Sequence, residues 1–125
     1  MSSKDKKTIV VTGALGHIGS KLIRELSPEL VERVVIIDNL STGKLENISK
    51  IKKDIHFIEA DLSTPSEKWL EAIKGVDWVF HLAALADIVP SIQNPMAYFK
   101  ANVQATAELL NACRRENIKK FIYAA

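Results

Sequence analysis

The sequence predicts an α/β fold built on a doubly wound parallel sheet with the strand order 3-2-1-4-5. Short apolar runs rich in β-branched residues alternate with helix-forming segments along the chain, and several of these runs end in a glycine or an aspartate. This alternation favours a parallel sheet that is covered by helices on both faces. Right-handed crossovers then give the predicted order, and ligands of such sheets bind at the carboxyl ends of the strands, where the order reverses.

Five apolar runs predict the strands. They are Thr8–Thr12, Arg33–Asp38, Ile55–Ala60, Val76–His81 and Lys119–Ala124. Residues 1–7 are polar and basic and predict a disordered tail, so that residues 8–125 form one domain.

Helices are predicted between these strands. The first runs from His17 to Leu26, because proline at position 28 disfavours helix in the residue before it. The second begins at Thr64, with Glu67 completing a capping box, and runs to Ile73 before it stops at Gly75.

The longest predicted helix opens at Asn94-Pro95. Helical spacing places an apolar stripe on one face of it. The stripe consists of Phe99, Val103, Thr106, Leu110 and Cys113.

A glycine-rich turn between the first strand and the first helix predicts a phosphate-binding site. Gly13 would permit a tight turn, and Gly16 would permit the close approach of a pyrophosphate. Gly19 would permit close packing of the helix on the strand. Free N–H groups at the helix start would face the negative charge. The first two glycines are separated by two residues instead of the usual one, so a plain connecting turn remains the alternative.

The second strand ends in a carboxylate, Asp38, 19 residues after Gly19. A carboxylate at this place accepts hydrogen bonds from the ribose hydroxyls of an adenosine and repels a 2′-phosphate. The next residue is Asn39 and not an arginine. These features predict a Rossmann-type site for NAD and not for NADP; the alternative is a surface aspartate that starts a loop.

Two further strand ends carry polar residues. Asp61 would accept a hydrogen bond from the adenine amino group, with Leu62 packed on the base; the alternative is an aspartate that caps a turn. His81 is followed by small residues that suit backbone lying against a dinucleotide. We predict that His81 itself is a structural histidine and not a base.

Composition excludes several classes of function. The net charge is +2 and the basic residues are scattered without aromatic residues among them, so we expect no nucleic-acid surface. The single cysteine, Cys113, allows no internal disulfide and is expected to pack in the core. The three histidines have no metal-ligand spacing. No signal peptide or membrane span is predicted, and a cytoplasmic location is expected.

These motifs together resemble the extended short-chain dehydrogenase/reductase superfamily, and within it the NAD-dependent epimerase/dehydratase family. The resemblance extends over residues 8–125 and is greatest to the nucleotide-sugar 4-epimerases. The matching segments are Thr12–Gly19, Asp38–Gly43, Ala60–Leu62, His81–Ala84, Ser91 with Pro95, and Asn102-Val with Thr106.

The resemblance also implies how a dinucleotide would be held. The backbone amides of His17 and Ile18 would bind the pyrophosphate, and Asn102 would approach the nicotinamide half. Residues around the adenosine ribose would be Asn39, Ser41, Thr42 and Gly43, and the middle of the dinucleotide would lie along Leu82, Ala83, Ala84 and Ala86.

Two positions depart from the family pattern. Ala86 stands where the best-known 4-epimerases have a lysine, and Ala105 stands where the family usually has a glycine.

The family's reaction is a transient hydride transfer from a sugar hydroxyl to NAD. Its base is a tyrosine with a lysine four residues later, and a serine or threonine orients the sugar. Tyr98 is followed at that distance by Asn102, and Tyr123 lies two residues before the last residue. We therefore expect this chain to be the front part of such an enzyme, without its substrate domain. By itself it should be inactive and have no catalytic residue.

The resemblance and the predicted sheet lead to expectations about the substrate and the oligomeric state, with two alternative functions. The full-length parent is expected to bind a nucleotide sugar, and the chain to form a homo-oligomer through the open edge of its fifth strand. The alternatives are a stand-alone dinucleotide-binding or sensor module, and a reductase of the same superfamily that acts on another ketone.

Overall fold

The computed structural model describes residues 6–15, 17–27, 29–39, 46, 54–83 and 88–123. Its strands are β1 (Lys7–Thr12), β2 (Val31–Asp38), β3 (Ile55–Glu59), β4 (Trp78–His81) and β5 (Lys120–Tyr123). They form one parallel sheet in the order β3-β2-β1-β4-β5, which confirms the predicted topology. The strand order reverses between β1 and β4, so the crevice for a ligand lies above their carboxyl ends.

The helices lie between the strands in sequence. They are α1 (His17–Glu25), α2 (Glu67–Leu70), α3 (Ile88–Gln93), α4 (Pro95–Phe99), a π-helical segment (Lys100–Gln104) and α5 (Ala105–Arg115). The sequence predicts no helix at the position of α3. The π-helical segment joins α4 to α5, so the longest predicted helix has an irregular turn in its middle.

Apolar side chains cover both faces of the sheet, because successive residues of a strand point to opposite sides. On one face, Ile9 and Val11 belong to a cluster with Ile23 of α1. On the other face, Val10 belongs to a cluster with Trp69 of α2, Leu109 of α5 and further residues of these two helices. The predicted doubly wound arrangement is confirmed.

The predicted capping box at Thr64 is wrong. The four-residue helix α2 follows Ser66, whose side chain makes no capping hydrogen bond. Thr64 instead belongs to a turn: its N–H donates to the Asp61 carbonyl oxygen (3.2 Å), and its own carbonyl oxygen accepts from the Trp69 indole N–H (3.0 Å). Thr64 is therefore held in a turn, and the segment becomes helical only after Ser66.

The predicted apolar stripe on the longest helix is also wrong in part. Phe99, Val103 and Leu110 are 50%, 53% and 45% exposed. The buried face of α5 consists of Ala105, Leu109, Ala112 and Cys113. A π-helical turn contains more residues than an α-helical turn, so it shifts the buried face relative to an uninterrupted helix. The predicted start is correct, since the Asn94 side chain accepts a hydrogen bond from the Ala97 N–H (3.3 Å).

Candidate functional site

The glycine turn after β1 leaves no room for a side chain at its first glycine. Gly13 has φ +69°, and a Cβ there would lie 2.7 Å from the backbone nitrogen of Ala83. A Cβ on Gly19 would lie 2.5 Å from the Cα of Ala14. The tight turn predicted at Gly13 is therefore confirmed. Gly19 lets α1 approach the turn itself, whereas the sequence predicts an approach to the strand.

Asp38 connects the end of β2 to this turn. Its side chain is buried, and Oδ2 accepts a hydrogen bond from the backbone N–H of Leu15 (3.3 Å). Leu15 lies two residues after Gly13, so the carboxylate helps to hold the conformation of the turn. The alternative of an aspartate on an exposed loop is excluded by this burial.

Asp61 forms a local turn after β3. Its Oδ1 accepts hydrogen bonds from the backbone N–H of Ser63 (2.9 Å) and from the Ser63 hydroxyl (2.7 Å). Asp61 therefore has the turn-capping role that the sequence offers as the alternative. A carboxylate has two oxygens with several acceptor positions, so this role leaves capacity for the predicted bond to an adenine amino group.

These strand ends border a cavity of about 260 Å³. Its volume lies just below the usual range of small-molecule sites, about 300–1,000 Å³. The lining residues are Gly13, Ile37, Asp38, Asn39, Ala60, Asp61, Leu62, Ser63, Ala83, Ala97, Lys100, Ala101 and Ala105.

The cavity brings together six of the predicted cofactor-binding residues. They are Gly13, Asp38, Asn39, Asp61, Leu62 and Ala83. Ile18, Gly19, Leu82 and Asn102 do not line it. The predicted residues Gly16, Ser41, Thr42, Gly43, Ala84 and Ala86 lie outside the described residues, as does the side chain of His17.

The sequence-based prediction does not include one group of residues that line the cavity. Ala97, Ala101 and Ala105, with Lys100, present the α4–π–α5 region to the strand ends. The sequence contains a usable signal, since three alanines recur every four residues and small side chains permit close approach of a ligand. Lys100 is the one cation among the described residues that line the cavity, where it accompanies the carboxylates of Asp38 and Asp61.

His81 is a buried histidine at the end of β4. Its Nδ1 lies 2.7 Å from the Thr12 hydroxyl and its Nε2 lies 2.8 Å from the Thr106 hydroxyl. Burial lowers the pKa of His81 to about 4, so the ring is neutral at pH 7. The prediction of a structural histidine with satisfied hydrogen bonds is confirmed.

Cys113, a residue of α5, packs in the core, as predicted. Its side chain is buried, and burial raises the pKa of the thiol to about 11.

The described residues contain no cluster of three His, Cys, Asp or Glu side chains that could hold a metal ion. No helix in the described ranges is long and apolar enough to cross a membrane.

The sheet order, the positive-φ glycine and the buried acidic residue at the end of β2 define a Rossmann-type α/β domain. The chain belongs to the NAD-dependent epimerase/dehydratase family, since the model of this family matches residues 9–125. The resemblance identified from the motifs is thereby confirmed, and NAD is the cofactor on which this family depends.

Known relatives agree with this assignment. A Bacillus subtilis (strain 168) protein with the name uncharacterized UDP-glucose epimerase YtcB is 37% identical over 125 residues, covering 94% of this chain and 39% of that protein. The structure of UDP-N-acetylglucosamine 4-epimerase from Methanobrevibacter ruminantium M1, in complex with UDP-N-acetylmuramic acid, is 40% identical, with a TM-score of 0.82 over 94% of this chain and 37% of that one.

A third relative was solved with the cofactor. The UDP-glucose 4-epimerase of Thermus thermophilus, in complex with NAD, is 34% identical with a TM-score of 0.79, covering 91% of this chain and 36% of that one. The chain thus spans less than two fifths of the length of each of these three relatives.

Proposed function

We propose that the crevice above β1, β2 and β4 binds NAD, and that the chain is the NAD-binding part of a nucleotide-sugar epimerase or dehydratase. The observation that carries this proposal is the position of Asp38. Its carboxylate is buried at the end of β2, bonded to the Leu15 N–H of the glycine turn, and borders the cavity. A carboxylate held in this way is placed to accept hydrogen bonds from the adenosine ribose hydroxyls.

The residues present fit a dinucleotide. The absence of a Cβ on Gly13 leaves the turn backbone packed directly against Ala83, with the nine-residue helix α1 starting four residues later. The amides of His17 and Ile18 at that helix start would bind the pyrophosphate. Asp61 would accept from the adenine amino group, and the buried Leu62 side chain would contact the base.

NAD, when bound, supplies the acceptor for a hydride from a sugar hydroxyl. The chain's own part is to orient the cofactor, and Asp38 would select NAD over NADP because its charge repels a 2′-phosphate. Both structural relatives described above are named as UDP-sugar 4-epimerases, which supports a UDP-sugar as the substrate of the complete enzyme. Residues 1–125 contain no tyrosine with a lysine four residues later, so we expect no epimerisation by this chain alone.

Titration with NADH tests the cofactor assignment. Energy transfer from Trp69 and Trp78 to the bound nicotinamide reports binding. Asp38→Ala is expected to weaken NADH binding by about 5- to 150-fold, which corresponds to the loss of about 1–3 kcal/mol of hydrogen bonding. Asp38→Asn, which keeps an acceptor oxygen, should lose less.

The matched control is Asp54→Ala, because Asp54 is exposed and immediately precedes β3. This variant should bind NADH like the wild-type chain. Wild-type chain should also prefer NADH to NADPH, and Asp38→Ala should reduce that preference. Equal affinity of Asp38→Ala and wild type would contradict the proposal.

A further inference from the structure

A continuous series of hydrogen bonds joins β1, β4 and the helical wall of the cavity through Thr12, His81 and Thr106, which we term the His81 bridge. At one end, the Thr12 hydroxyl oxygen accepts from the backbone N–H groups of Leu82 (3.0 Å) and Ala83 (3.1 Å). His81 lies between the two threonine hydroxyls. At the other end, the Thr106 hydroxyl donates to the carbonyl oxygen of Asn102 (3.0 Å).

The direction of every bond in the bridge follows from counting protons. The Thr106 hydroxyl donates its one hydrogen to Asn102, so it accepts a hydrogen from His81 Nε2. A neutral imidazole carries one N–H, so Nδ1 is an acceptor and receives the Thr12 hydroxyl hydrogen. Only the neutral Nε2–H form of His81 satisfies this arrangement.

The two ends of the bridge reach two parts of the cavity lining, one directly and one through neighbouring residues. Ala83 lines the cavity on the side of the sheet, in the same place where its nitrogen would contact a Cβ on Gly13. Asn102 lies within the π-helical segment, whose neighbours Lys100, Ala101 and Ala105 line the cavity on the helical side. The rings of Phe121 and Tyr123 from β5 lie against His81, with centroid distances of 6.0 and 5.6 Å, and hold the imidazole from the side.

We propose that His81 is a positioning residue for the cofactor site: its neutral imidazole, held between Thr12 and Thr106, fixes the π-helical wall relative to the glycine turn. Packing of Leu109 and Ala112 holds the apolar face of α5 on the sheet. The bridge adds directed hydrogen bonds, which tie Thr106 and the Asn102 carbonyl oxygen to the end of β4. This inference rests on the proposed function, because it concerns the width of the crevice that receives NAD.

The test compares Thr106→Val, which removes the hydroxyl from the bridge, with Thr106→Ser, which keeps it. The control is Thr8→Val, the same exchange four residues before Thr12 at the opposite end of β1. Thr106→Val is expected to weaken NADH binding by about 5- to 30-fold and to speed amide hydrogen exchange in residues 100–105. Thr106→Ser should stay within about 2-fold of wild type, and Thr8→Val should equal wild type in both measurements.

Failure of this inference is separable from failure of the proposed function. If wild type binds NADH and a folded Thr106→Val binds it equally well with unchanged exchange, the positioning role is overturned and the cofactor site stands. If wild type binds no NADH, the proposed function fails, and the exchange rates alone decide whether the bridge orders the π-helical segment.

One measurement requires no variant. Nitrogen-15 spectra of the wild-type chain at pH 7 should show His81 as the neutral Nε2–H tautomer. An Nδ1–H tautomer, or a protonated ring at pH 7, would overturn the bridge even if Thr106→Val failed to fold.

Discussion

Gly13 packs so closely on Ala83 that a Cβ on the glycine would lie 2.7 Å from the alanine nitrogen and 2.8 Å from its Cα. The contact joins the turn after β1 to the end of β4, at the point where the strand order reverses. Because both partners in this contact are backbone atoms, neither can move away by changing a rotamer. The shape of the crevice therefore depends on this glycine.

Gly13→Ala is expected to lower the free energy of unfolding by about 2–4 kcal/mol. The loss has two causes: the alanine must adopt a left-handed backbone conformation, and its Cβ overlaps the backbone of Ala83. The matched control is Gly75→Ala, because Gly75 has a similar φ of +75° and open space around its Cβ position. That variant should lose only about 1–2 kcal/mol. Urea denaturation of both variants measures the difference, and equal losses would contradict the role of the contact.

Neighbouring leucines of α5 should respond very differently to truncation. Leu109 is fully buried, whereas Leu110 is 45% exposed. We expect Leu109→Ala to cost about 2–5 kcal/mol of stability, as for other buried leucines, and Leu110→Ala less than about 1 kcal/mol. The same denaturation experiment decides the register: a larger loss for Leu110→Ala would favour the stripe predicted for an uninterrupted helix.

The stability of the chain should fall between pH 6.5 and about 4 because of His81. Its pKa is lowered by burial from 6.5 to about 4, so the unfolded chain takes up a proton in this range and the folded chain does not. The contribution of His81 to stability is therefore complete above pH 6.5, and about 3 kcal/mol of it is lost as the pH falls to about 4.

Urea unfolding at pH 7, 5.5 and 4.5 measures this loss. His81→Gln should flatten the pH dependence in that range, while His56→Gln, at an exposed position of β3, should leave it unchanged. Tyr123 is the titratable side chain whose ring stacks on that of His81, with a centroid distance of 5.6 Å. An unchanged pH dependence in His81→Gln would contradict the prediction.

The Cys113 thiol should be nearly inert in the folded chain. Burial raises its pKa from 9.0 to about 11, so at pH 8 the thiolate is about 100-fold scarcer than for an ordinary cysteine. Alkylation with iodoacetamide at pH 8 should therefore be at least about 100-fold slower in the native state than in urea. Equal rates in the two states would show that the core does not cover the thiol in the folded chain.

The order of the strands and the location of the crevice follow from local features of the sequence. β-branched runs, alternating with helical segments, predict the parallel sheet, and Gly13 and Asp38 mark the strand ends where a ligand binds. These features depend on backbone sterics and on burial of nearby residues, so they can be predicted from the sequence without knowledge of the tertiary contacts. The structural role of His81 was predictable for the same reason, because it ends a buried strand.

Three features were decided only by the tertiary structure: the start of α2, the buried face of α5 and the helical wall of the cavity. Hydrogen bonds to Asp61 and Trp69 hold Thr64 in a turn before α2, and Phe99 and Leu110 lie on the exposed side of a helix that a π-helical segment interrupts. The His81 bridge joins residues 12, 81 and 106, which no local pattern relates. The sequence by itself therefore determined the sheet and the acidic and glycine-bearing ends of its strands. The distance across the crevice depends on hydrogen bonds between residues far apart in the chain, which exist only once the sheet and helices have packed together.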